Sequence, residues 1–464
     1  MKNNIVTMTD SYKFGHWNQY PSGTETVYSY FEAREGATFP ETVFFGLQYL
    51  MKEYLEGVVV TQEMIEEAAA LSKAHFGVEG MFNRQMWEHI VNEHGGKLPI
   101  RIKAVPEGTV VPISNVMMTI ENTDPKCFAL TNHLETLLCH VWASSTCATL
   151  SREVKKVFKK YLDETATNSE GINFMLHDFG FRGVSSVEAA GIEGAGHLLN
   201  FLGTDTVKAM ETAMEYYGAP LDGLAYSVPA TEHSVMTALG REGEETIVGQ
   251  LLDSYPNGIL SIVSDSYDIY NFAANILGTK YKDRILMRQG KVVCRPDSGD
   301  PVEVTIKLLK ILGDKFGYTM NEKGYKVLHP KIGILWGDGI NKDGIEEILR
   351  AMKLNKWSAE NIVFGMGGGL LQKINRDTQR FAFKSSAQQR RGKWFDIWKS
   401  PIEGGKNSKR GRLILFNNQT YKLGDEIEKG IKAREEDDEL DVVFENGKVV
   451  KEVSFAQARE NVKL

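Results

Sequence analysis

His233, Asp265, Asp297, Asp338 and Gly367 fall 32, 32, 41 and 29 residues apart, each in a short loop between an apolar, β-prone stretch and a helical one. The stretches read GLAYSVPATEH, GILSIVSDS, KVVCRPDSGD, KIGILWGDG and NIVFGMGGG, with INFMLHDFG ahead of them. One strand, one helix and two connections fill such an interval, which is the cadence of a parallel β/α barrel. In a barrel every loop that follows a strand reaches the same face. Carboxylates, a histidine, arginines and backbone amides spread over about two hundred positions therefore meet in one pocket. That mixture of groups suits a phosphorylated sugar.

Each loop carries its own chemistry. RPDSGDP, Arg295 to Pro301, sets an arginine and two acids around Pro296 and Gly299. A carboxylate there accepts hydrogen bonds from vicinal ribose hydroxyls, and the guanidinium forks onto phosphate or covers an aromatic ring. An ion pair within the loop would use the same residues. WGDGI, Trp336 to Ile340, and GMGGG, Gly365 to Gly369, let backbone N–H groups approach a phosphate, although any tight strand-to-helix connection also needs glycine. YSVPATEHS, Tyr226 to Ser234, carries Glu232 and His233, with SDSYD, Ser264 to Asp268, one unit later. A histidine oriented by a carboxylate such as Asp265 acts as a general base or accepts a phosphoryl group. HDFGFRG, His177 to Gly183, offers Phe179 and Phe181 beside Arg182; one ring suits stacking on a planar ligand, and at least one of the two is expected in the core. Asp205, just before a helix starting near Val207, reads first as an N-cap. Arg376, Lys384, Lys399, Lys406, Lys409, Arg410 and Arg412 gather after the last unit, as a solvated face or as counter-charge for a diphosphate.

The elements that must hold these groups need more than one core, because 464 residues exceed a single ordinary domain. A hydrophobic fraction of 42% and a charged fraction of 25% describe a soluble globular protein, and a net charge of −7 argues against a general nucleic-acid binder. No apolar run reaches the roughly 18 residues of a membrane span, and MKNNIVTMTDSYKFGHW lacks the apolar core of a signal peptide, so a cytoplasmic protein is expected. Cys127, Cys139, Cys147 and Cys294 show no CxxC pair; reduced core thiols are expected, and a zinc site is not. Residues 97–121 read as antiparallel strands, 129–164 as one long helix, and the chain past 378 returns to β signals with a hairpin turn at Asn446 and Gly447. The expected fold class is α/β: a parallel β/α barrel at 151–384 and a discontinuous β-rich flanking domain. That domain is built from 1–150, which includes the long helix, and 385–464.

TDSYK at Thr9 to Lys13, VYSYFEAR at Val27 to Arg34, HDFGFRGVSS, GTDTV, YSVPATEHS, SDSYDIYN, RPDSG, GDG and FGMGGGLLQK follow one another along nearly the whole chain. In that order they resemble the nicotinamide phosphoribosyltransferases, whose fold is the type II phosphoribosyltransferase barrel. The resemblance implies union of nicotinamide with phosphoribosyl pyrophosphate to give nicotinamide mononucleotide and pyrophosphate, a step of NAD salvage. It implies Mg2+ carried mainly by pyrophosphate, ATP as co-substrate through a phosphohistidine, and a homodimer with shared active sites. By resemblance His233 is the phosphorylated histidine, supported by Glu232 and Asp265, with Asp297 also catalytic. Phe179 and Tyr12, the latter from the second subunit, sandwich the pyridine ring; Asp10, Asp205, Arg295, Ser227, Val228, Ala230 and Ser261 complete its pocket. Arg34, Arg182, Gly337, Asp338, Gly367, Gly368, Arg376, Lys384 and Lys406 take the phosphoribosyl and phosphate groups. Two departures stand out: the segment after Arg34 is shorter than the basic loop of animal members, and Gly333 stands where the family carries an arginine. The alternatives are a nicotinate phosphoribosyltransferase and a non-catalytic binding or signalling protein on the same scaffold. Asp205 favours nicotinamide, because a carboxylate substrate would be repelled there.

Overall fold

The computed structural model describes residues 4–402 and 407–464. The chain divides into two compact units. One holds Met1–Thr149, Ala213–Ala219 and Asn375–Lys463; the other holds Leu150–Thr212, Pro220–Ile374 and Leu464.

The second unit is built on six parallel strands in the order Gly203–Thr204, Leu176–Asp178, Ile362–Met366, Ile332–Trp336, Gln289–Arg295 and Asn257–Val263. The segment from Tyr226 to Ala230 spans the two outer strands, with parallel bridges from Tyr226 to Gly203 and from Ala230 to Ser261. Tyr226 N donates to Leu202 O at 2.7 Å, and Ser261 N donates to Pro229 O at 2.9 Å, so this stave closes the ring. It stays irregular because Pro229 has no N–H to give to a ladder. Parallel strands covered on both faces need continuous apolar runs, and Ile332–Trp336 is buried at every position. The helices between strands follow the same local logic. In Pro301–Phe316, Asp300 accepts from Glu303 N at 2.8 Å, proline opens the first turn, and Val304, Leu308, Leu309 and Leu312 form the buried stripe. Asp300 is therefore a helix cap, which leaves Asp297 as the acid of that loop available to a ligand.

The first unit centres on a seven-stranded sheet in the order Lys393–Asp396, Ala382–Arg390, Thr24–Glu32, Val116–Asn122, Ile100–Ala104, Asp441–Glu445 and Lys448–Val449. All six of its strand pairings are antiparallel. Thr24–Glu32, an interior strand, is buried at all but one position, whereas Ile100–Ala104 alternates buried and half-buried residues, the mark of one covered face. Asn446 and Gly447 take φ of 49° and 82°, the positive pair that a two-residue hairpin requires.

Two expectations need correction. The helix expected over 129–164 is three helices, Leu130–His133, Glu135–Leu138 and Val141–Thr165; at the second break His140 N donates to Leu137 O, a tighter turn than the α-helix allows. The return to the first unit begins at Asn375 rather than 385, because Ala382–Arg390 pairs along Thr24–Glu32, and a further piece, Ala213–Ala219, belongs there too. Within that piece Tyr217 stacks on Phe45 with ring centroids 4.8 Å apart. Among the described residues no helix is long and apolar enough to cross a membrane.

Candidate active site

The barrel loops place their polar side chains by short backbone contacts. Buried Thr231 accepts Val263 N on its hydroxyl at 2.9 Å, and its carbonyl accepts Nη2 of Arg295 at 2.6 Å, locking the loop before His233 to the next two strands. Nε2 of His233 lies 3.0 Å from Oδ1 of Asp265, while Ser298 donates to the other oxygen of that carboxylate. Nδ1 of His233 lies 4.0 Å from Oδ2 of Asp297. Asp265 is thus held at both oxygens and almost buried, whereas the histidine is 47% exposed. An anchored carboxylate behind an open imidazole fixes the ring's orientation and leaves its second nitrogen toward the mouth. Glu232 accepts from Ser234 next to it.

Phe179 forms the wall between two cavities. One, of 470 Å3, is lined by Phe179, Asp205, Ser227, Val228, Ala230, Ser261 and Arg295 together with Phe174, Tyr226, Lys291 and Gly333. The other, of 770 Å3, is lined by Phe179, Phe181, Arg182, Asp205, Glu232, His233, Arg295, Asp297, Gly337, Gly367 and Gly368. Phe179, Asp205 and Arg295 border both. Neither Phe179 nor Phe181 fills the core, contrary to expectation: Phe181 is 38% exposed, and Phe179 is half-buried at the cavity edge. Gly365 makes room for the Phe179 ring, since a Cβ there would lie 1.9 Å from the ring's Cε2. That glycine answers to packing, not to phosphate.

Charge at the mouth is unbalanced. Burial pushes the Arg295 guanidinium down from its ordinary value, and Asp297, Asp205 and Asp265 oppose that; its Nε is buried with no hydrogen-bond partner. Burial raises the Asp297 carboxyl, Arg295 opposes, and Asp265 and Asp338 raise it further. The carboxylates there outnumber Arg182 and Arg295, a surplus that a cation-bearing substrate would offset. Asp205 accepts from Ser227 Oγ at 2.5 Å, and its backbone N–H donates to Asp178 O at 2.9 Å.

Of the other residues singled out, Asp338 is exposed on the loop after Ile332–Trp336, where Trp336 Nε1 donates to its carbonyl at 2.7 Å. Asp10, Tyr12, Arg34, Arg376 and Lys384 belong to the first unit. There Tyr12 is 58% exposed, Asp10 accepts from Thr136 at 2.7 Å, Arg34 Nε donates to Arg380 O at 3.0 Å, and Arg376 and Lys384 are exposed. Lys406 lies outside the described residues. Within the basic group, Lys409 pairs with Glu32 and Arg412 with Glu435, so those two are ion-paired in their own unit. Sequence reasoning passed over Lys291, whose ammonium burial pushes down from its ordinary value while Glu360 opposes. A Cβ on Gly333 would lie 3.3 Å from Lys291 Cδ, so a lysine fills the space beside the glycine. The available signal was a lysine directly before the apolar run Val292, Val293 and Cys294 of a barrel strand.

Residues 174–448 match the model of the nicotinate phosphoribosyltransferase (NAPRTase) family, and residues 4–102 match that of the nicotinamide phosphoribosyltransferase N-terminal domain. The chain is 46% identical over 463 residues to a nicotinamide phosphoribosyltransferase of Xanthomonas campestris pv. campestris (strain 8004), covering 98% of this chain and 97% of that protein. It is 35% identical to one of Acinetobacter baylyi (strain ATCC 33305 / BD413 / ADP1), covering 99% and 97%. A nicotinate-nucleotide pyrophosphorylase from Pyrococcus furiosus superposes with a TM-score of 0.59 at 16% identity, covering 100% of this chain and 95% of that one. Human nicotinic acid phosphoribosyltransferase gives 0.57 at 14%, covering 98% and 92%. These two likenesses show the fold, a type II phosphoribosyltransferase barrel. The chain belongs to the NAPRTase family, within its nicotinamide phosphoribosyltransferase branch.

Proposed function

We propose that the protein transfers the phosphoribosyl group of phosphoribosyl pyrophosphate to nicotinamide, giving nicotinamide mononucleotide and pyrophosphate in NAD salvage. The observation that carries the choice of substrate is Asp205, which borders both cavities beside Phe179 and has one oxygen taken by Ser227. The remaining oxygen accepts the carboxamide N–H of nicotinamide; nicotinate would set a second carboxylate against it, at a cost of several kcal/mol. Phe179 stacks on the pyridine ring and holds its nitrogen in line with the anomeric carbon. As the C–O bond to pyrophosphate breaks, positive charge grows on the ribose and negative charge on the leaving group. Asp297 faces the first and takes the ribose hydroxyls; Arg182 and the amides near Gly337, Gly367 and Gly368 serve the phosphates. Asp297 and Asp338 would offer the oxygen donors that suit a Mg2+ carried by the pyrophosphate, which would offset the charge of the leaving group. ATP acts through a phosphoryl group on His233, whose ring Asp265 orients; Arg34, Arg376, Lys384 and Lys406 supply further counter-charge. Tyr12 covers the ring from the second subunit of a homodimer, and the enzyme works in the cytoplasm.

Purified protein given each pyridine in turn with phosphoribosyl pyrophosphate and Mg2+ should yield nicotinamide mononucleotide far faster than the nicotinate product. A preference of roughly a hundredfold corresponds to about 3 kcal/mol. Asp205→Ser should shrink that ratio. A wild type preferring nicotinate would overturn the reading, and an unchanged ratio in the variant would remove Asp205 from it.

A further inference from the structure

The first unit holds a second group of chemistry-bearing side chains, away from every motif read in the sequence. His89 and His94 come from the helix Arg84–His94, and Asp124 and Cys127 from the turn after Val116–Asn122. Their ligand atoms, one from each residue, all lie within 4.8 Å of one another. Both imidazoles bring Nε2 to the same oxygen, Oδ2 of Asp124, at 2.8 Å each. The other oxygen of Asp124 is committed elsewhere, accepting Lys126 N at 2.8 Å and so capping the turn Pro125–Cys127.

We propose that His89, His94, Asp124 and Cys127 bind one divalent cation of the zinc class. Two imidazole nitrogens, a thiolate and a carboxylate oxygen are the donor set of a closed tetrahedral site, and the sulfur excludes the oxygen-seeking Mg2+ and Ca2+. In a tetrahedral site with bonds of about 2.0 Å to nitrogen and about 2.3 Å to sulfur, donors stand roughly 3.3 to 3.6 Å apart. The cluster needs only side-chain adjustment of about 1 Å to reach that. Two anionic ligands, thiolate and carboxylate, cancel the cation's charge, which makes a largely buried ion affordable.

The backbone around the cluster is already set. Asn83 caps the start of the histidine helix through Met86 N at 3.2 Å, and Gly95 ends it with φ of 59°. Asn122 donates to Asp124 O at 2.8 Å and accepts Val27 N at 2.9 Å, tying the turn to the neighbouring strand Thr24–Glu32. Side chains 14%, 28% and 21% exposed at His89, His94 and Asp124 leave an entry path. A bound ion would pin the histidine helix to the turn, the work of a structural zinc.

The full-length protein, stripped with a chelator and dialysed against limiting Zn2+, should retain about one zinc per chain. His94→Gln and Cys127→Ser should lose it, and His233→Ala should keep it. Loaded with Co2+, the wild type should show intense tetrahedral visible bands and a thiolate-to-cobalt band that Cys127→Ser removes. X-ray absorption on the zinc-loaded wild type reads the donor set without any variant and should give one sulfur and two imidazoles. No retained zinc, a sulfur-free coordination shell, or zinc lost with His233→Ala but kept with His94→Gln would each overturn the site.

Discussion

The same kinds of side chain lead opposite lives in the two units. In the barrel, Glu232, His233 and Asp338 stand on loops after strands and remain exposed, where a ligand can reach them. In the sheet unit Glu107 is 5% exposed and accepts Gly46 N and Gln48 N at 2.7 Å each. Lys13, 6% exposed, meets Glu135 at 2.6 Å. An ionisable residue inside a core holds backbone together; the same residue at a strand end is open to a ligand. Position relative to the strands separates these roles, and residue type does not.

The comparison breaks most visibly if Asp297 turns out to be structural. Asp297→Ala should lower kcat/KM by on the order of a thousandfold with little change in Tm; a large fall in Tm at near-normal activity would reverse its assignment. Gly365→Ala tests the packing beneath the ring wall. Its methyl must displace Phe179, so KM for the pyridine should rise by roughly tenfold to a hundredfold while the fold survives, and an unchanged KM would show that the ring has room to spare.

On the sheet side, Glu107→Ala strips the acceptor from two buried amides and should cost about 2 kcal/mol in denaturant unfolding, with the activity of the folded fraction intact. Burial lifts the Glu107 carboxyl to about 7, opposed by hydrogen bonds from Gln48, Gly46 and Leu47. The smallest effect sharpens the contrast from within the barrel, where Glu193 behaves like a core residue. Burial, with the Asp178 charge adding to it, lifts Glu193 to about 8. A raised folded-state pKa means the native state binds the proton more tightly than the unfolded chain. This stabilisation is complete below the unfolded value of about 4.3 and is lost as pH rises toward about 8. Glu193→Gln should flatten a decline of about 1 kcal/mol per pH unit between about pH 5 and pH 7, read from denaturant midpoints. An identical slope in the variant would place the titration elsewhere.

The barrel was legible because strands such as Ile332–Trp336 and Ile362–Met366 are almost wholly buried and therefore appear as apolar runs, each followed by its loop. Its histidine and carboxylates were legible for the same reason: each follows a run. The stave Tyr226–Ala230 was visible as a stretch but not in its irregularity: Tyr226 bridges one outer strand and Ala230 the other, with Pro229 between them giving no N–H to a ladder. The break at His140 lies in a stretch whose helical spacing continues on either side, so periodicity hid it.

Pairs distant in the chain were not legible at all. Gly365 reads as a phosphate-loop glycine until Phe179, far upstream, is laid on it. His89 and His94 sit five residues apart, about 140° around a helix, and so suggest no shared face. Their convergence on Asp124 needs the helix end and a turn from another segment to meet. Local patterning, which records what each residue does to its own few neighbours, determined the barrel and the loops that bear its acids. Which side chains share a cavity, which carboxylates are buried and which histidines face one another was decided by tertiary packing, because burial and distance are properties of the folded chain that no short window of sequence contains.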